Sequence, residues 1–284
     1  MPKDYDFAEI VDDEEETSET DNVPETNLEY EQKEQKQRKK RSMNPMPVLL
    51  KTCFNENPRV LEIGIDEAGR GPLFGRVYTA AVILPRDSKL FDHTLMKDSK
   101  RFHSKKKIQE VAQYIKQKAI AWSITYEDEK TIDQINILQA TQKSMHKSID
   151  QLLGKQDEIQ LKMIRMATTC GDMVIPDSFH LLVDGNYFNT YTYYNKHSKK
   201  IESLQHTCIE GGDNHYTAIA AASILAKVER DQYIEDLCEE NPELAEKYGI
   251  DTNKGYGAKK HMDGIREHGI TKWHRRTFGI CSTF

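Results

Sequence analysis

The chain has 284 residues, of which 37% are hydrophobic and 30% charged, with a formal net charge of −6. Residues 1–41 hold 14 acidic and 7 basic side chains, which leaves +1 on the remainder, so the pI near 6.0 does not exclude a nucleic-acid ligand in a locally basic groove. Five scattered cysteines without C-x-x-C spacing argue against a disulfide framework or a zinc site. With no bilayer-length apolar run and no secretion-type start, a soluble, cytoplasmic protein without membrane contact is expected.

In chain order, an acidic stretch (Asp12 to Glu16) gives way to a basic one (Lys36 to Arg41). Such blocks bury too little apolar surface to offset chain entropy, which predicts a disordered charged tail over 1–45 and an ordered body over 46–284. A nuclear address or a nucleic-acid contact is the alternative use of the basic cluster. Val60 to Ile65 and Val77 to Leu84 read as strands, and the turn Leu84-Pro-Arg-Asp87 suggests a hairpin-like arrangement. Ser104 to Ala119 has helical spacing, with Ile108, Val111, Ala112, Ile115 and Ala119 on one stripe. Ala121 to Tyr126 alternates like a strand. Thr131 to Leu153 reads as a long amphipathic helix with Ile135, Leu138, Met145, Ile149 and Leu152 as core. Residues 154–178 carry no clear pattern. Phe179 to Val183 is a short buried strand ending at Asp184-Gly185, and His206 to Ile209 is another. Residues 186–203, rich in Tyr, Asn and Lys, read as a polar surface loop, with nucleic-acid binding as the alternative. His215 to Leu237 is a helix with an alanine-rich start, and a last helix runs from Gly257 to His268. Strands first, then alternating helices, imply an α/β layer architecture.

The chemistry concentrates in Ile63-Gly-Ile-Asp-Glu-Ala-Gly-Arg-Gly-Pro72. Asp66 and Glu67 end an apolar run, and two carboxylates at a strand end suit a hard divalent cation. Gly69, Arg70 and Gly71 follow, where backbone can approach a substrate and a guanidinium can fork onto phosphate. Asp184 and Asp213 also sit at strand ends, where sites in open α/β sheets gather. Four converging carboxylates repel one another unless cations neutralise them, as two Mg²⁺ ions on a scissile phosphate would. Each acid also has a plainer role: Asp184-Gly185 as a turn, Asp213 as an N-cap, Asp231 as an ion-pair partner of Arg230.

These segments, with Lys97-Asp-Ser-Lys100, Leu182-Val-Asp-Gly185, Gly212-Asp213, Ile219 to Val228 with Arg230-Asp231, Asn253-Lys-Gly-Tyr-Gly257, His261 and His274-Arg-Arg-Thr-Phe278, occur in one order over about residues 60–280. In that set the chain resembles ribonuclease HII, the bacterial-type type 2 ribonuclease H. The resemblance implies a ribonuclease H-like mixed sheet flanked by helices, with a helical C-terminal extension, in a catalytic domain over 46–284. It implies an endonuclease that hydrolyses RNA in RNA–DNA hybrids and incises 5′ of ribonucleotides embedded in duplex DNA, leaving 5′-phosphate and 3′-hydroxyl. Two Mg²⁺ or Mn²⁺ ions would be held by Asp66, Glu67, Asp184 and Asp213. Gly69, Arg70 and Gly71 match the loop that senses the ribose 2′-hydroxyl, the group that separates RNA from DNA. Tyr256 matches the tyrosine that packs on the adjacent deoxyribose. Ser99, Lys100 and Lys227 match polar positions that contact phosphate or support the site. A monomer is expected.

Two positions depart from that pattern: Arg76 stands where proline is common, and Gly211 where a lysine usually precedes Gly-Asp. Three rivals remain at this level. Another nuclease of the same fold would share the acids but ignore the 2′-hydroxyl. A catalytically inactive hybrid-binding protein would not need all four carboxylates. A metabolic enzyme with a nucleotide loop would carry G-x-G-x-x-G or a P-loop, and neither is present.

Overall fold

The apolar run that opens at Val60 becomes the middle of a five-stranded sheet. The structure is a computed structural model that describes residues 49–170, 174, 176–195 and 198–284. The charged tail expected over 1–45, with its basic cluster, lies outside the described residues. The strands of the sheet are β1 (Val60–Ala68), β2 (Val77–Ile83), β3 (Ala121–Glu127), β4 (Ser178–Asp184) and β7 (Gln205–Ile209). They lie in the order β3-β2-β1-β4-β7. β2 is antiparallel to both β1 and β3, whereas β4 runs parallel to β1 and β7 parallel to β4. The sheet is therefore mixed, and the C-terminal ends of β1 and β4 fall side by side, with Ile65 paired to Val183. The Leu84–Asp87 turn does not close a hairpin. β2 reaches its two antiparallel neighbours through the loop after β1 and through helix α1 (Lys105–Lys118).

Both faces of the sheet are covered, which explains why β2 is buried at every position. Ala80 and Val82 pack under α1 and α4 (Thr217–Glu240), with Ile108, Val111 and Ile115 facing them. On the other face, Ile63, Ile65, Ala81 and Ile83 meet Met145, Ile149 and Leu152 of α2 (Glu129–Leu153) and Ile159 and Met163 of α3 (Gln156–Cys170). The Ser104 hydroxyl accepts from the Lys107 amide and starts α1, a cap worth about 1 kcal/mol. The small residues at the start of α4 let it lie directly on β1. A Cβ at Gly64 would come within 2.2 Å of the Ala218 carbonyl carbon.

Three segments differ from expectation. α2 is interrupted at Asn136, whose φ is 65° and whose side chain caps a restart by accepting from the Gln139 amide. The break slips the helical phase, so Ile132 and Ala140 are buried while Ile135 and Leu138 are only half-buried. Residues 154–178 supply α3, whose Ile159 and Met163 face the sheet one turn apart. Residues 186–203 are not a plain loop but hold a two-stranded ribbon of β5 (Thr192–Asn195) and β6 (Lys200–Ser203). Beside it, Tyr191 is buried and donates to Asp150 Oδ1 at 2.5 Å, while Tyr187 and Tyr194 are exposed. Beyond α4 the chain adds α5 (Glu243–Tyr248), α6 (Ile250–Asn253) and α7 (Lys259–His268). They form a separate apolar cluster around Phe74, Leu244, Tyr248 and Ile265. Among the described residues no helix is long and apolar enough to cross a membrane.

Candidate active site

Asp66 and Asp184 stand at the C-terminal ends of the parallel neighbours β1 and β4. A left-handed Gly211 (φ 61°) turns the chain after β7 into a short 3-10 turn, Gly212–Asn214, that carries Asp213. The Gly212 amide donates to Asp184 Oδ1 at 2.6 Å. The alternative N-cap role of Asp213 is not realised: α4 begins after Tyr216 with no side-chain cap, and Asp213 accepts from Asn214 Nδ2 at 2.9 Å. Asp66 accepts from the Glu67 amide at 2.6 Å, and Ser223, which lowers the Asp66 pKa, meets Ser99 at 3.0 Å.

These acids line one open cleft of about 460 Å³, together with Gly69, Arg70, Gly71, Ser99, Lys100, Lys227 and Tyr256. All eleven residues singled out in the sequence are therefore drawn to one place. Arg70 is ion-paired to Glu67 at 3.2 Å. Lys227 pairs with Asp231 at 2.9 Å one helical turn away, so the partner of Asp231 is Lys227 rather than Arg230. Tyr256 is 52% exposed and its ring edge lies beside Gly71, where an added Cβ would stand 3.5 Å from Cε1. Lys100 lies near enough to Glu67, Asp184 and Asp213 to stabilise their charged forms.

All four carboxyl groups titrate above their ordinary range. Burial is the first cause for Asp66, followed by the charges of Glu67 and Asp184, and its pKa is raised the most clearly. Burial raises Glu67 against the opposing Arg70, and raises Asp184 against the Gly212 hydrogen bond. Asp213 is raised by burial and then by Asp98 and Asp184. So much negative charge held close together disfavours itself and favours a cation. The donors are all oxygen, which suits Mg²⁺ or Mn²⁺ over softer metals. Among the described residues no three His, Cys, Asp or Glu side chains close into a cage.

Several residues in the site escaped sequence reasoning. Arg230, 3% exposed, backs the glycine loop: a Cβ at Gly69 (φ 94°) would meet its Nε at 2.3 Å, and its Nη2 donates to the Lys254 carbonyl at 2.8 Å. Arg275 is fully buried beneath the same loop. His261 donates from Nδ1 to the Tyr256 carbonyl at 2.9 Å. The motif match included all three, but only their packing shows what they touch. Of the two departures, Arg76 lies between the rings of Tyr126 and Tyr233, at 4.1 and 4.3 Å from their centroids. Gly211 occupies a backbone conformation that a lysine would adopt only with strain.

The family model for ribonuclease HII matches residues 63–281. Ribonuclease HII of Phocaeicola vulgatus is 40% identical over 229 residues, covering 80% of this chain and 93% of the relative. That of Bacteroides thetaiotaomicron is 41% identical over 224 residues, covering 79% and 92%. The crystal structure of ribonuclease H2 from Pyrococcus horikoshii superposes with a TM-score of 0.51 at 19% identity, covering 78% of this chain and 96% of that one, which is a likeness of fold. With a match of this extent over the residues that build the cleft, the chain belongs to the ribonuclease HII family and is an RNA-hydrolysing endonuclease.

Proposed function

We propose that this endonuclease reads the 2′-hydroxyl of a ribonucleotide and hydrolyses the phosphodiester on its 5′ side, both in RNA–DNA hybrids and at single ribonucleotides in duplex DNA. The carrying observation is that Asp66, Glu67, Asp184 and Asp213 line one cleft together with the Gly69–Gly71 loop and Tyr256. Asp66 and Asp184 would hold two divalent ions, with Glu67 and Asp213 completing the ligand sets or orienting water. When bound, such ions lower the pKa of the attacking water and offset charge on the leaving 3′-oxygen.

The other residues bind and orient. Lys100 and Lys227 present ammonium groups to the phosphates that flank the cut. Backbone groups of Gly69, Arg70 and Gly71 hydrogen-bond the 2′-hydroxyl, and a site built to bond a hydroxyl rejects the analogue that lacks it. Tyr256 stacks on the adjacent deoxyribose, so that the pair reads the junction rather than RNA alone. All these residues belong to one chain, which supports action as a monomer. The catalytic unit is taken as 46–284.

The test is cleavage of an end-labelled DNA duplex carrying one ribonucleotide, with Mg²⁺ or Mn²⁺, beside the all-DNA duplex. A single metal-dependent cut 5′ of the ribonucleotide is expected. Cleavage confined to long hybrid tracts would remove junction reading, and equal cleavage of all-DNA duplex would remove 2′-hydroxyl sensing.

A further inference from the structure

Arg275 is the largest fully buried side chain among the described residues. Its charge is met by backbone carbonyls: Nε donates to Gly75 O at 2.8 Å, Nη1 to Arg70 O at 2.9 Å and Pro72 O at 2.8 Å, and Nη2 to Gly69 O at 2.6 Å. Burying a guanidinium is costly even with Glu129 and Asp133 acting on it, so what it holds in place matters. The peptides are trans, so each carbonyl turned towards Arg275 turns the following amide away from it. The amides of Arg70 and Gly71 are thereby directed to the opposite side of the loop from the buried guanidinium.

The neighbouring residue acts on the second loop. His274 Nδ1 accepts from the Thr271 amide at 2.9 Å, which puts its proton on Nε2. That nitrogen lies 3.1 Å from His261 Nε2, and His261 Nδ1 faces the Tyr256 carbonyl at 2.9 Å. One tautomer set, assigned from this network, satisfies all four ring nitrogens: His274 donates to His261, and His261 donates to Tyr256. Backbone bonds zip the three segments together. Arg275 N donates to Leu73 O, Gly75 N to Trp273 O and Leu73 N to Gly255 O, each at 2.9 Å.

We propose that His274 and Arg275 are positioning residues for substrate selection. Arg275 fixes the Gly69–Gly71 loop, His274 fixes Tyr256 through His261, and together they set the width of the slot between Gly71 and Tyr256. The inference rests on the assignment of these loops to 2′-hydroxyl sensing and leaves the acid cluster untouched.

The experiment uses the full chain with Arg275→Lys, which keeps charge but loses the fork, and His274→Phe, which keeps the ring but loses both nitrogens. Thermal melting and calorimetric Mn²⁺ uptake first establish that each variant folds with its acid cluster intact. The readout is the ratio of affinities for a duplex with one ribonucleotide and the same all-DNA duplex, measured by competition in Ca²⁺. A misfolded fraction cancels in this ratio, and Ile149→Ala, a core change remote from the cleft, serves as the stability control with an unchanged ratio. The ratio is expected to fall roughly tenfold in each variant, the scale of one misaligned hydrogen bond to the sugar. An unchanged ratio in a variant that melts cooperatively overturns the proposal for that residue. If Arg275→Lys does not fold, His274→Phe alone decides. If the unaltered chain shows no preference and no incision at the ribonucleotide, the assignment of the loops has failed instead.

Discussion

The Gly212 amide donates a 2.6 Å hydrogen bond to Asp184 Oδ1, so the turn that carries Asp213 is fastened to the carboxylate on the neighbouring strand. One side chain thus serves as a candidate ligand and as the anchor for a second one. The two roles can be separated chemically.

Asp184→Asn keeps an oxygen that accepts from Gly212 but loses the charge. Its melting temperature should stay near that of the unaltered protein while turnover falls by about three orders of magnitude or more, a loss of roughly 4 kcal/mol in transition-state stabilisation. Asp184→Ala should lose turnover and, in addition, about 1 kcal/mol of stability as the Gly212 bond disappears. Denaturant unfolding beside single-turnover rates checks both.

Divalent ions should stabilise the protein, and more so as pH rises. The folded-state pKa values of Asp66, Glu67, Asp184 and Asp213 are raised by burial and, in most cases, by one another. A raised carboxyl binds its proton more tightly folded than unfolded. Metal-free stability from these groups is therefore greatest below their unfolded pKa values and falls as pH climbs through the folded ones. Mn²⁺ should give a larger rise in melting temperature at pH 8 than at pH 5, and chelation should abolish it. Asp66→Asn should shrink this rise while making the metal-free protein more stable. Equal Mn²⁺ effects at both pH values would contradict the assignment.

Gly64→Ala should be among the most damaging single-methyl changes. The added Cβ would meet the Ala218 backbone at 2.2 Å, where no flexible side chain can yield. Forcing α4 away from β1 should cost about 1–3 kcal/mol or more and shift Asp66 relative to Ser223. A melt within a degree of the unaltered protein would show that the layers are looser than they look.

His274 reads out in the opposite pH direction. Burial, and then His261, hold its pKa down from 6.5 to about 3. The unfolded chain takes up a proton below its ordinary pKa while the folded one does not, so this contribution is intact above about pH 6.5 and lost between there and pH 3. The expected slope is about 1.4 kcal/mol per pH unit within that window. His274→Phe should flatten the fall in stability on acidification, measured as the difference between the two proteins' unfolding curves from pH 7 to 4.5.

Tyr256 is half-exposed, so Tyr256→Ala should leave the melting temperature unchanged. It should weaken binding of the ribonucleotide-containing duplex by roughly tenfold, the loss of one stacking contact. Tyr256→Phe should retain most of that affinity. A drop as large in Phe as in Ala would point to the hydroxyl rather than the ring.

How much was legible beforehand follows from the range over which each signal acts. Runs such as Val60–Ile65 and Leu181–Val183 are local signals, and a buried strand followed by an acid needs only its own neighbourhood to be recognised. Asp66, Glu67, Asp184 and the glycine loop could therefore be placed at strand ends from the chain alone. Asn136 broke that logic, because one residue with positive φ reset the phase of a helix that had been read as continuous. The ribbon at 192–203 escaped because its polar strands are too short to show a period, and its ties to the core, Tyr191 on Asp150 and Asn189 on Gln142, lie outside the strands.

The sequence by itself determined which groups are available: four carboxylates, a Gly-Arg-Gly turn, a tyrosine between glycines, and the order in which they come. Tertiary structure alone decided how they face one another. The Gly212 bond to Asp184 and Arg275 beneath a loop some two hundred residues earlier are contacts between distant segments. No local periodicity encodes them. They arise because burial of the sheet's two apolar faces brings those segments together, and the buried polar groups must then find partners where they lie.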